Sequence, residues 1–206
     1  MSTLSEVKRI KVAITGSIGS GKSAVSLYLR NRGYCVLSAD DIVSELYEND
    51  NKLKFELQLL TNQELIIENK INKKVMSQLL FTNKEFKHKA EKLIHQRVYA
   101  EIFARISECT QPIVFIEIPL LFETQMEKYF DQVIVVDIDD QVRVERLMKQ
   151  RGLSLEVIEE RLKHQISSQE KKQKADIVFD NNNDLEDLFF QVDHYLKGIN
   201  DDILNN

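Results

Sequence analysis

Three glycines, a lysine and a serine stand at fixed intervals near the start of the chain: Gly16-Ser17-Ile18-Gly19-Ser20-Gly21-Lys22-Ser23. The spacing is G-x-x-x-x-G-K-[ST], and each residue type in it has a use against a chain of phosphates. Glycines let the backbone curl with successive N–H groups aimed inward at an anion. A helix that begins where the loop ends adds the positive end of its dipole. Lys22 brings a point charge for the β- and γ-phosphates, and the Ser23 hydroxyl can ligate Mg²⁺. A structural strand-to-helix turn needs one or two glycines and no Lys-Ser pair. The stretch therefore reads as a nucleotide phosphate cradle, with ATP as co-substrate and Mg²⁺ as its ion. GTPases share the loop, but their base-recognition motif is Asn-Lys-x-Asp, and Asn72-Lys73-Lys74-Val75 breaks it at the last place.

Carboxylates come next. Asp40 and Asp41 follow the apolar run 34–38. In doubly wound sheets, ligands sit at the carboxyl ends of strands, beside the point where strand order reverses. Asp40 is thus placed to orient a substrate hydroxyl or accept its proton. It is equally placed to cap the helix that follows, since Asp is a favoured N-cap; position alone leaves both readings open. Glu117 stands near the end of another apolar run, before Pro119. That is where a P-loop enzyme holds Mg²⁺ through water. His95 lies in the helical stretch 84–107, where a lone histidine is more often a packing or surface residue than a ligand. Residues 141–174 hold nine Lys/Arg against five Glu, within a chain of net charge −5. A solvated helix face explains such a run; so does a lid that closes arginines over transferring phosphates.

The elements that must position these residues are legible as apolar runs. Runs 10–15, 34–38, 113–118, 133–137 and 177–180 are near-continuous and rich in Val and Ile, as strands buried on both faces are. Helical patterns separate them, which predicts an α/β fold with right-handed crossovers. The intervals 41–111 and 141–174 exceed a simple crossover and read as insertions, the first with helices over 73–81 and 84–107. The tail 200–206 is polar and is expected to fray. An acidic balance, with a pI of about 5.5, argues against a nucleic-acid binder. No stretch approaches the roughly 18 apolar residues of a membrane span, and residues 1–8 are polar, unlike a secretory leader. Cys35 and Cys109 show no metal-ligand or C-x-x-C spacing. Cytoplasmic placement with reduced thiols is expected, with Cys35 a small buried hydrophobe.

Together these residues resemble the dephospho-CoA kinase family over about 12–192, nearly the whole chain. Thr15 to Ser23 match the family's TGGIGSGKS with one change. Ser38-Ala39-Asp40 sits at its Asp-Ala-Asp, Leu93-Ile94-His95 at its Leu-Ile-His, and Pro119-Leu120-Leu121-Phe122-Glu123 at its PLLFE, the most family-specific string. Gln141 to Arg146, Arg161, Gln165, Glu170-Lys171, Ala175-Asp176 and Asp180-Asn181 follow its lid and last-strand pattern in order.

The resemblance implies that ATP phosphorylates the 3′-hydroxyl of the ribose of dephospho-coenzyme A. It implies a P-loop NTPase fold of the nucleoside-monophosphate-kinase type, with a five-stranded parallel sheet. Its core would be about 8–44, 110–140 and 175–197, its CoA-binding helical insertion 45–109 and its lid 141–174. By the same resemblance Asp40 is the general base, with Lys22 and Arg146 as catalytic cations. Ala24 and Asn181 join the nucleotide site, His95, Leu121 and Arg161 contact the acceptor, and Ser23 and Glu117 hold Mg²⁺. A monomer or weak homo-oligomer is expected. The departures are Ser17 for Gly, Ala24 for Thr, Ser38 for the first Asp and Gln96 for Pro. Gln150 stands at the second lid arginine, with Arg151 one place later. Other readings are a different small P-loop kinase, such as a nucleoside monophosphate kinase, or a non-catalytic nucleotide-binding module.

Overall fold

The computed structural model describes residues 9–204; the polar leader 1–8 and the last two residues of the tail lie outside them. Contacts divide the chain into two compact units, one of Met1–Leu37 with Thr110–Asn206 and one of Ser38–Cys109.

The first unit is built on a five-stranded parallel sheet. Its strands are β1 (Ile10–Thr15), β2 (Cys35–Ser38), β5 (Ile113–Glu117), β6 (Gln132–Asp137) and β7 (Ile177–Asp180), in the order β2-β5-β1-β6-β7. The five apolar runs are these strands, with ends shifted by at most one residue. β1 lies between β5 and β6, pairing Ile14 with Glu117 on one side and Thr15 with Val135 on the other. The order changes direction at β1, so the loop that leaves β1 opens into the crevice where such sheets take ligands. Helices α1 (Lys22–Asn31) and α9 (Leu185–Leu204) cover one face. Val25 and Leu29 of α1 and Leu188, Val192, Leu196 and Ile199 of α9 pack on Val12, Ile14, Phe115, Ile134 and Val136. The expectation of a frayed tail over 200–206 is corrected for its described part: α9 runs to Leu204, Ile199 and Ile203 pack on the core, and Asn200 Nδ2 donates to Tyr34 Oη at 2.9 Å, while 205–206 lie outside the described residues.

The second unit holds α2 (Ala39–Asn49), α3 (Asn51–Gln58), α4 (Lys73–Thr82) and α5 (Lys84–Glu108). A side chain caps each start: Ser38 accepts from Asp41 N–H, Asp50 from Leu53, Asn72 from Val75 and Asn83 from Phe86. Phe86, Ala90, Ile94, Val98, Ile102 and Ile106 recur every fourth residue on α5 and form its buried stripe. A short antiparallel hairpin, β3 (Ile66–Ile67) with β4 (Lys70–Ile71), escaped the sequence reading. Its turn residues Glu68 and Asn69 both take positive φ, as a two-residue hairpin requires. Lys54, almost fully buried, ties this turn to α2 through the carbonyls of Asn69 (2.8 Å) and Glu48 (3.1 Å).

Neither Cys35 nor Cys109 is a free thiol, and Cys35 is only half-buried. Both points correct the expectation of reduced cysteines with Cys35 in the core. Spacing rules register cysteines that are close in sequence and say nothing of those the fold engages.

Candidate active site

The phosphate loop runs from the end of β1 into the first turn of α1. Its glycines are required sterically as well as conformationally. A Cβ on Gly16, at φ +150°, would lie 2.3 Å from the Val136 carbonyl oxygen; one on Gly21, at φ +102°, would lie 2.3 Å from Asn181 Nδ2. Lys22 is nearly buried, and its ammonium donates to the carbonyls of Gly16 and Ser17, each at 2.9 Å. This holds the charge inside the curl of the loop. Ala24 follows in the first turn of α1.

At the lip of the loop, the Ser23 hydroxyl donates to Glu117 Oε1 at 3.0 Å. Parallel pairing of β1 with β5 brings the two together, since Ile14 is level with Glu117. An exposed hydroxyl beside a carboxylate is an oxygen donor set suited to a hard divalent cation. Asn181, just past β7, is 3% exposed. It donates from Nδ2 to the Ser20 carbonyl at 2.7 Å, and its N–H reaches the Asp137 carbonyl at 2.9 Å. It thereby ties β6, β7 and the loop together.

The expected lid contains α6 (Asp140–Arg151), α7 (Leu155–Leu162) and α8 (Ser168–Gln173). It is not one uniform flap. Lys171, wholly buried, pairs with Glu123 at 3.1 Å, and Lys172 pairs with Asp137 at 2.7 Å. Burial pushes the Lys171 ammonium below the ordinary lysine range, while the hydrogen bond and charge of Asp137 hold Lys172 above it. Two of the surplus charges are therefore absorbed by core carboxylates, and α8 is built into the first unit. Gln165 Oε1 accepts the Ile18 N–H at 3.3 Å, and Ser168 Oγ lies 3.2 Å from Ser17 Oγ. Sequence reading missed this support. Asp137 was open to it, being a carboxylate at the same sheet edge as Glu117.

Arg146 donates to the carbonyls of Asn181 (2.9 Å) and Asn183 (2.8 Å), so the structure joins two residues predicted for different jobs. Arg151 and Arg161 are exposed on α6 and α7. Leu121 is wholly buried. It lies in the loop that follows β5.

Asp40 and His95 belong to the second unit. Asp40 is exposed in the first turn of α2, and Ser38 is the cap, its Oγ accepting the Asp41 N–H at 3.2 Å. The capping reading of Asp40 is thereby removed. His95 is half-buried and stacks on Tyr99 at 5.8 Å between ring centroids. Burial lowers its pKa, against the opposing charge of Glu91.

Among known proteins, the sequence pattern of the dephospho-CoA kinase family matches residues 10–187. A dephospho-CoA kinase of Fusobacterium nucleatum is 32% identical over 188 residues, covering 91% of this chain and 97% of that protein. Of solved structures, TT1252 from Thermus thermophilus superposes with a TM-score of 0.81 at 32% identity, covering 92% of this chain and 97% of that one. The dephospho-CoA kinase from Campylobacter jejuni superposes with a TM-score of 0.65 at 28% identity, covering 93% and 98%.

Proposed function

The chain belongs to the dephospho-CoA kinase family, and on that premise we propose how its own residues carry the reaction. It is an ATP-dependent kinase that transfers the γ-phosphoryl group of ATP to the 3′-hydroxyl of the ribose of dephospho-coenzyme A, giving coenzyme A and ADP. The bond from the 3′-oxygen to phosphorus forms, the bond from phosphorus to the β–γ bridging oxygen breaks, and the hydroxyl proton must leave.

The loop N–H groups and Lys22 receive the phosphates. The observation that carries this reading is the Ser23–Glu117 bond at the loop's lip, which sets a hydroxyl and a carboxylate side by side. These two would hold Mg²⁺, which when bound neutralises charge on the β- and γ-phosphate oxygens. Asp40 takes the proton, supported by its exposure in the first turn of α2, where Ser38 supplies the cap. His95 serves the acceptor side from α5. Asn181 flanks the adenine end of the nucleotide.

Arg146 is the lid arginine, and to reach a transferring phosphate it must release the carbonyls of Asn181 and Asn183. Arg161, exposed on α7, contacts the acceptor. A cytoplasmic setting fits the substrates. Among the described residues, no helix is long and apolar enough to cross a membrane.

The test is ADP release with dephospho-coenzyme A, AMP, CMP or no acceptor. Release dependent on dephospho-coenzyme A is expected. Release with AMP or CMP in its place would assign a nucleoside monophosphate kinase, and binding of ATP without release would assign a non-catalytic module.

A further inference from the structure

The buried charges around α8 have no part in the transfer just described. Lys171 is 0% exposed, with its ammonium 3.1 Å from Glu123 Oε1. The same oxygen accepts the Ile166 N–H at 3.0 Å, while Glu123 Oε2 is buried with no hydrogen-bond partner among the described residues. Arg143, 4% exposed, is held by Asp140 at 2.8 Å and donates to Ser168 Oγ at 3.3 Å. Lys172 anchors the next position to Asp137. An ammonium and a carboxylate leave water only at a large desolvation penalty, and apolar residues of similar volume often serve stability equally well. Stability alone is therefore a weak reason for this pair. What it fixes is a helix of six residues, too short to hold itself. The turn leading into that helix touches the phosphate loop twice, through Gln165 to the Ile18 N–H and through Ser168 to the Ser17 hydroxyl.

We propose that the Glu123–Lys171 pair positions the phosphate loop: it fixes the 165–168 turn, and Gln165 and Ser168 then hold residues 17 and 18 in shape before ATP arrives. The proposal deepens the nucleotide reading of the loop and rests on it. A glycine-rich arm loses more freedom on ordering than other backbone. Ordering left to the moment of binding is subtracted from affinity. Glu123 and Lys171 are positioning residues here, acting through Gln165 and Ser168 and never touching the nucleotide.

The test is calorimetric titration of the whole chain with ATP and Mg²⁺ and no acceptor, so that binding is read and transfer is not. Glu123→Gln/Lys171→Met neutralises the pair and keeps its shape. Gln165→Ala/Ser168→Ala removes the two contacts to the loop, and with them the Arg143 bond to Ser168 Oγ. The fourfold variant closes a double-mutant cycle. Each pair of changes is expected to weaken ATP about tenfold, and the fourfold variant to weaken it no further, because both act along one route. Unchanged affinity in either pair, or losses that multiply in the fourfold variant, would overturn the proposal. If the neutralised pair does not fold, Glu123→Asp/Lys171→Arg, which keeps the charges but shifts them, takes its place in the same cycle with the same two outcomes. Failure of the unaltered chain to bind ATP would refute the nucleotide reading itself, so the two failures are distinguishable.

Discussion

Gly21→Ala separates backbone strain from steric closure in the phosphate loop, because two other glycines serve as controls. Gly21 has φ +102° and ψ 9°. A Cβ there would stand 2.3 Å from Asn181 Nδ2 and 3.3 Å from Asn181 Cγ. The amide cannot step aside at no cost: Nδ2 is bonded to the Ser20 carbonyl, the backbone N–H to Asp137, and the carbonyl receives Arg146. The left-handed conformation costs about 1–2 kcal/mol for a residue with a Cβ. Forcing Asn181 off Ser20 leaves a buried carbonyl unpaired, for about 1–3 kcal/mol more. The sum, about 2–5 kcal/mol, lowers the melting temperature by about 10 °C, at roughly 2–4 °C per kcal/mol for a chain of this size. Gly33 has φ +86° and Gly152 φ +61°, each with nothing within 4 Å of its Cβ site. Their alanine variants meet only the strain and should lose about 2–8 °C. Parallel melts and urea titrations measure the difference. Asn181→Ala added to Gly21→Ala should recover part of the loss, since it removes the obstructing atom. Equal destabilisation of all three alanine variants, or strictly additive loss in the double, would refute the steric argument.

Lys22→Ala should abolish transfer in a folded protein, because the charge it removes is held inside the curl of the phosphate loop, on the Gly16 and Ser17 carbonyls; near-normal ADP production would sink the loop assignment. Asp40→Asn should lose turnover by about 10²–10⁴-fold while binding ATP normally, and unchanged turnover would remove Asp40 from the chemistry. Arg146→Ala should lower turnover at saturating substrates by about 10²-fold; a loss confined to melting temperature would make it a brace for the 181–183 turn. His95, its folded pKa lowered by burial, binds its proton less readily folded than unfolded. Stability should therefore be full above the unfolded value of about 6.5 and fall as pH drops below it. His95→Gln should flatten that slope in urea titrations from pH 7.5 to 5, and an unchanged slope would assign it elsewhere.

What was legible in the sequence was whatever its determinants leave contiguous. The strands announce themselves because burial on both faces demands unbroken apolar runs, and the loop because a phosphate cradle needs its glycines, Lys22 and Ser23 in one stretch. Helix starts were half-legible. Ser38, Asp50, Asn72 and Asn83 are all good caps, yet Asp40 was as good a candidate by type. Only backbone geometry chose Ser38 as the cap. The hairpin at Ile66–Ile67 and Lys70–Ile71 was too short for any period to show.

Charge counting failed in an instructive way. A surplus of Lys and Arg over 141–174 reads as one basic surface because counting treats every charge as solvated. The fold treats them individually. Lys171 and Lys172 are adjacent in sequence on a short helix, so their side chains diverge by about 100°; one meets Glu123 and the other Asp137. Arg143 turns inward to Asp140 and Ser168, Arg146 caps carbonyls beside Asn181, and Arg151 and Arg161 stay exposed. The 165–174 end of the segment is thus built into the first unit, while Arg151 on α6 and Arg161 on α7 keep their charges at the surface.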